Sequence, residues 1–313
     1  MKKIVGLILA LLVLSSNTSN DPTTVTSTEI NDIVTFLASD GLKGRDTGSE
    51  GIEAAATYIE DYFKNHGIKP YYETYRDPYK IKEMDAFNVV GVLEGHDPVL
   101  KNEVVILGAH YDHIGYRVKP VDGDSIANGA NDDASGTAFV LTLAKQLAKL
   151  NNNKRTLMFA LYSGEEMGLL GSKHLANRLK SENVNLYTMI NFEMLGVPFI
   201  GRDYEVFLTG HDLSNMATEL NEYIGSKFVG KSDVAVQYNL FKRSDNYSFY
   251  KTFKVPCQTI SSCDLTNYDF YHHVDDEADK MDYEHMANVV NALIPAIEAI
   301  SNSETQDIKM NEE

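Results

Sequence analysis

Three short, nearly continuous apolar runs constrain this chain more than anything else: Glu103–Leu107, Arg155–Tyr162 and Leu186–Phe192. A strand that alternates polar and apolar residues keeps one face wet, whereas strands like these must be covered on both faces. Helical patterns lie between them, most clearly the alanine- and leucine-rich run Thr137–Leu150. The predicted fold class is therefore α/β, a three-layer domain with a central, largely parallel mixed sheet covered by helices on both faces. Further strands are expected at Tyr71–Tyr79, Ala86–Leu93 and Tyr204–Leu208. Helices are expected at Thr28–Ala38, Glu50–His66, about Gly168–Lys180, Asp212–Ile224 and Asp282–Ile300.

The two ends read differently from the middle. Lys2 and Lys3 precede an apolar core, Ile4–Leu14, and then Ser15 and Ser16, so residues 1–18 have the pattern of a secretory signal peptide. A retained N-terminal anchor is the alternative, and in either case the protein is expected to be exported, periplasmic or extracellular. The folded domain is then expected over residues 23–301, long enough for a sizeable core. The polar segment 302–313 reads as a disordered tail. A formal net charge of −17 without a basic stripe argues against a nucleic-acid partner. No membrane association is expected beyond a possible uncleaved anchor.

Export permits disulfides, and the chain has two cysteines, Cys257 and Cys263. If KVPCQTIS is an extended strand, the pair stands about 20 Å apart, whereas a bridge needs Cα atoms within about 7 Å. Bridging would require the chain to fold back after Ser261.

Histidines and carboxylates gather where the apolar runs end, which is where an open α/β sheet binds its ligands. His110 and Asp112 follow the first run with the two-residue spacing that sends both side chains one way. Alternation sends His113 to the opposite side, as a structural residue. Glu165 and Glu166 follow the second run, and Glu193 the third. The glycine-rich segment GANDDASG places Asp132 and Asp133 just before a buried helix, and Tyr271-His272-His273 precedes Asp275 and Asp276 near the C-terminus. Taken singly, each has an ordinary explanation: a helix cap, an acidic helix start, a solvated loop histidine. Taken together, they form a donor set suited to zinc.

The ordered strings GLKGRDTGSEG, GAHYD, GANDDASG, SGEEMGLLGS, NFEMLG and YHHVDDEADKMDY, from about Gly41 to Met286, resemble the co-catalytic dizinc aminopeptidase family. Its relatives include secreted leucyl aminopeptidases, glutamate carboxypeptidase II and glutaminyl cyclase. The resemblance implies two Zn²⁺ ions, with Asp132 bridging, His110 and Glu193 completing one site, and Glu166 and His272 the other. It implies that Asp112 orients His110, Glu165 is the general base and Tyr271 polarises the scissile carbonyl. It also implies a cis Asp132–Asp133 peptide. The implied activity is that of a secreted metallo-exopeptidase, an aminopeptidase acting on peptides or small aminoacyl compounds with a free N-terminus. Glutaminyl-peptide cyclotransferase activity on the same fold, or a non-catalytic ectodomain, are the alternatives. Two positions depart from the pattern: Glu193 stands where many relatives have aspartate, and Ser244-Asp245-Asn246 where Ser-Asp-His is common. Phe199, Phe241, Phe249 and the stretch Leu265–Tyr268 are the expected walls of a side-chain pocket.

Overall fold

The computed structural model describes residues 24–312, so the proposed signal segment lies outside the described residues. In chain order the strands are β1 Lys69–Pro70, β2 Arg76–Ile81, β3 Met84–Leu93, β4 Glu103–His110, β5 Thr156–Tyr162, β6 Asn185–Phe192, β7 Val206–Leu208, β8 Val229–Gly230 and β9 Cys257–Ser261. The helices are α1 Ser27–Leu37, α2 Glu50–Asn65, α3 Gly136–Leu150, α4 Leu170–Ser181, α5 Met216–Ile224, α6 Asp233–Gln237, α7 Asn246–Phe253 and α8 Tyr283–Asn302.

All the strands join one mixed sheet in the order β1-β3-β5-β4-β6-β9-β7-β8, with β2 paired to β3. The centre, β5-β4-β6-β9, is parallel. β3 joins β5, and β7 joins β9, in antiparallel fashion. The larger core lies on one face, where α1, α2, α3, α5 and α8 pack, and a second cluster under α4 and α7 covers the other. The three-layer α/β expectation holds, and the apolar runs are central strands because each is buried from both sides. The chain passes from β4 to β5 on one side and then crosses back to β6 on the other. The carboxyl end of β4 is thus a switch point, the crevice where such sheets bind ligands.

Local differences have identifiable causes. The expected strand at Tyr71–Tyr79 starts only at Arg76, because the chain bends through Tyr71–Tyr75 after Pro70. The helix expected from Gly168 begins at Leu170, since Gly164, Gly168 and Leu169 all take positive φ and form a turn instead. The helix expected from Asp212 begins at Met216, whose N–H donates to Ser214 Oγ. Cys257 and Cys263 are free and buried, consistent with the first remaining in β9.

The segment after α8 corrects the expectation of a disordered tail. Ile308 is 2% exposed and its N–H donates to Tyr187 Oη at 2.9 Å. Arg155, fully buried at the start of the β5 run, donates to the carbonyls of Ile300, Ser303 and Thr305. A buried guanidinium must spend its donors, and the tail backbone supplies acceptors that composition alone does not reveal. Removing residues 303–313 is expected to cost about 3–5 kcal/mol, from lost Ile308 burial and unpaired Arg155 donors. An unchanged urea midpoint for the truncated protein would show the tail to be peripheral.

Candidate metal centre

The site is built at the carboxyl ends of β4, β5 and β6. His110 is the last residue of β4, in register with Tyr162 at the end of β5. Glu165 and Glu166 sit in the tight turn that follows β5, and Glu193 follows β6. Asp132 and Asp133 come from the loop entering α3, joined by a cis peptide as the resemblance implies. His272, at φ +55°, arrives from the long connection before α8.

Asp132 lies at the middle. Its Oδ1 stands 3.2 Å from His110 Nε2, and its Oδ2 stands 3.3 Å from His272 Nε2. The same His272 nitrogen is 3.1 Å from Glu166 Oε2. One carboxylate therefore faces two separate donor groups with its two oxygens. Asp133 turns away from that role: its Oδ1 accepts the N–H groups of Gly136 and Met194, pinning the loop to the end of β6.

Behind Asp132, Asp276 holds the loop. Its carboxylate accepts the N–H of Asn131 at 2.8 Å and of Asp132 at 3.1 Å, and Tyr268 Oη donates to it at 2.6 Å. Arg45, 0% exposed, reaches in from the glycine-rich turn before α2. It donates to the carbonyls of Leu37, Tyr111, Asn128 and Gly129, tying the loop after β4 to the loop before Asp132. Burial lowers its pKa to about 10, against the opposing pull of Asp276, Asp112, Asp132 and Asp133.

The role given to Asp112 needs correction in one detail. His110 Nδ1 meets the backbone carbonyl of Asp112 at 3.0 Å, while the carboxylate is 3.7 Å away. That carboxylate instead accepts from Thr47 Oγ1 at 3.0 Å and from the N–H of Glu165 at 3.2 Å. Asp112 thus orients His110 through its backbone and fixes the Glu165 turn through its side chain.

The residues fit a cation. Among the described residues, the Asp132, Asp133 and Glu166 carboxylates meet histidines and N–H groups, not lysine or arginine. Buried Asp133 Oδ2, Glu166 Oε1, Glu193 Oε2 and His272 Nε2 have no hydrogen-bond partner among the described residues. Carboxylates concentrated this way need compensating positive charge. Although burial opposes it, contacts with Asp132 and Glu166 raise His272 to about 10. Burial above all lifts Glu193 to about 7, with His110 pulling the other way and Asp132 adding to the rise. Imidazole and carboxylate in this arrangement are zinc ligands by type.

Residues 88–297 match the family model described as Peptidase family M28. This chain belongs to that family. A probable zinc metalloprotease of Leptosphaeria maculans is 32% identical over 189 residues, 55% of this chain and 42% of the relative. A probable leucine aminopeptidase of Arthroderma otae is 25% identical over 248 residues, covering 77% of this chain and 63% of the relative. The chain therefore spans less than two thirds of these curated relatives. The solved structure of Fimbriiglobus ruber glutaminyl cyclase superposes with a TM-score of 0.68 at 19% identity, over 87% of this chain and 94% of that one. At that identity the likeness shows the shared fold alone.

Of the ligand set that the M28 resemblance implies, His110, Asp132, Glu166 and His272 converge through the contacts above. Glu193 lines an adjoining cavity with Tyr271 and Ser244, near enough to feel the charges of His110 and Asp132. The Tyr271 ring stacks on His272 at 4.0 Å, and its hydroxyl is 3.4 Å from Arg243. His113 does not face away as alternation implies: its Nδ1 is 2.9 Å from Glu166 Oε1. Side-chain alternation holds only within a strand, and β4 ends at His110.

The expected pocket walls are also revised. Leu265 lines the cavity, together with Met194, Phe207, Thr209 and Thr259. Phe249 is buried against Tyr162 in the second core, Phe241 packs on Tyr247 and Tyr250, and Phe199 on Tyr204 and Phe207. Tyr268 is committed to Asp276. Asn246 is a structural link in this chain: its amide bonds to the carbonyls of Phe241 and Cys257, and its oxygen accepts from Thr259. Sequence reasoning gave Arg45, Thr47 and Asp276 no roles, since what marks them is long-range hydrogen bonding.

Proposed function

We propose that this protein is an exported, zinc-dependent metallo-exopeptidase, an aminopeptidase hydrolysing the N-terminal bond of peptides or small aminoacyl compounds. The observation that carries the reading is the placement of Asp132, with Oδ1 toward His110 and Oδ2 toward His272 and Glu166. That placement supports two zinc sites sharing Asp132, the first completed by His110 and Glu193, the second by Glu166 and His272. Export rests on the composition of residues 1–18. Among the described residues, no helix is long and apolar enough to cross a membrane.

When bound, a zinc pair supplies Lewis acidity, activating water and polarising a carbonyl. The protein's own groups do the positioning and the proton work. Glu165 is the base: its backbone is fixed by Asp112, and its carboxyl is pushed well above the ordinary range, chiefly by burial, with Asp245, Glu193 and Glu166 adding to the rise. A carboxyl so placed takes a proton from the attacking water and returns it to the departing amine. The Tyr271 hydroxyl, held beside the crevice by stacking on His272, donates to the developing oxyanion. The first side chain of the substrate enters the cavity beyond Glu193, whose lining includes Met194, Phe207 and Leu265.

Zinc analysis combined with a panel of amino-acid arylamides tests the proposal. Two zinc equivalents are expected, with hydrolysis abolished by chelator, restored by zinc and confined to substrates with a free N-terminus. Blocked substrates cleaved equally fast would remove the exopeptidase assignment. One equivalent together with cyclisation of N-terminal glutamine would identify a cyclotransferase instead.

A further inference from the structure

We propose that His113 is a sixth protein ligand, which completes the metal site formed by Asp132 Oδ2, Glu166 and His272. This rests on the dizinc reading above and extends it: the two metals are held unequally, one by four protein groups and one by three.

The argument begins with where the donor atoms point. His113 Nδ1 is 2.9 Å from Glu166 Oε1 and 3.8 Å from Asp132 Oδ2. His272 Nε2 is 3.1 Å from Glu166 Oε2 and 3.3 Å from the same Asp132 Oδ2. In a tetrahedron with zinc bonds of about 2.0–2.1 Å, ligand atoms stand about 3.3 Å apart. The four separations bracket that edge, with Glu166 turning one oxygen to each histidine. One donor atom each from His113, Asp132 and Glu166 lie within 4.8 Å of one another, the compactness a single ion requires, while His272 joins that trio through Asp132 and Glu166 alone.

Orientation separates a ligand from a hydrogen-bonding neighbour. Despite the 2.9 Å approach, neither His113 ring nitrogen nor Glu166 Oε1 has an aligned hydrogen-bond partner among the described residues. Two groups aimed at a common third point come close without facing each other, whereas a histidine that merely positions Glu166 would face it. The His113 side chain is 0% exposed, so water does not satisfy it from bulk. The His113 and His272 rings lie 5.6 Å apart at 71°, approaching the cluster from different directions.

The surrounding chain makes room for this ring. Gly129 takes φ +62°, and a Cβ there would stand 2.5 Å from His113 Cγ and 2.6 Å from Cδ2. Arg45 fixes the chain on both sides of the contact, donating N–H groups to the carbonyls of Gly129 and Tyr111. The N–H of His113 itself points to the carbonyl of Arg45 at 3.4 Å. The ring is thus held from both flanks against the Asp132 and Glu166 carboxylates.

The consequence concerns the division of labour. Four protein donors hold an ion more firmly than three, so the site with His113 is the tighter of the two and the His110–Asp132–Glu193 site keeps more room for water or substrate. The test titrates the metal-free full chain with zinc against a chromophoric chelator, for wild type and His113→Ala. X-ray absorption of the loaded proteins counts imidazoles. Wild type is expected to bind two equivalents with clearly different affinities and three imidazoles over the pair. His113→Ala should weaken the tighter site by more than the ~10–100-fold typical of outer-shell changes, and reduce the imidazole count to two. His113→Asn, closer in volume, serves where the alanine protein fails to fold in circular dichroism. Two equivalents bound by both proteins with equal affinities and equal imidazole counts would overturn this inference alone. A wild type that binds no zinc would overturn it together with the dizinc reading.

Discussion

Glu165→Gln is expected to lower kcat for arylamide hydrolysis by about 10²–10⁴-fold, the range for loss of a general acid–base group, while zinc content and fold stay unchanged. The contacts that fix this residue belong to its backbone. Its N–H donates to Asp112 Oδ1 at 3.2 Å, and its carbonyl accepts from Gly168 at 2.8 Å and Leu169 at 2.9 Å. None of these involves the side-chain carboxyl, so an amide of the same shape preserves the turn. Glu166, the neighbouring candidate ligand, keeps its contacts with His272 and His113. What glutamine lacks is the capacity to accept and return a proton. The decisive comparison is kcat against KM with zinc stoichiometry measured on the same sample. Full activity in the variant would remove Glu165 from the mechanism while leaving the metal site untouched.

Arg45→Met is expected to destabilise the protein by about 4 kcal/mol or more, because it leaves buried carbonyls without donors. The arginine satisfies four of them, on Leu37, Tyr111, Asn128 and Gly129. Methionine fills much of the volume and supplies no donor. Arg45→Lys keeps a charge but loses the planar fork that reaches several carbonyls at once, so an intermediate loss is expected. Urea midpoints of the metal-free proteins measure this directly. Zinc affinity should fall as well, since Gly129 leads into the loop that presents Asp132. A methionine variant as stable as wild type would show that these carbonyls find other partners.

Much of the architecture was legible because burial on two faces leaves a compositional mark. EVVIL, RTLMFALY and LYTMINF became β4, β5 and β6, and the run after GANDDASG became α3. The acidic and histidine strings at the ends of those runs converge for the same reason, since parallel strands bring their carboxyl ends to one edge of the sheet. The short helix α7 and the turn with Asp245 carried no comparable mark. The tail was misread because one buried isoleucine, Ile308, and the acceptor demand of Arg155 outweigh its polar composition.

The sequence by itself determined which side chains could bind metal and which end of the sheet they would occupy. Local periodicity and residue chemistry carry that information. Only the tertiary structure decided which oxygen of Asp132 faces which histidine, that His113 turns inward after β4 ends, and that Arg45 and Asp276 clamp the loops between them. Those outcomes depend on donors meeting acceptors across tens of residues of chain, and no spacing rule within one segment encodes such a meeting.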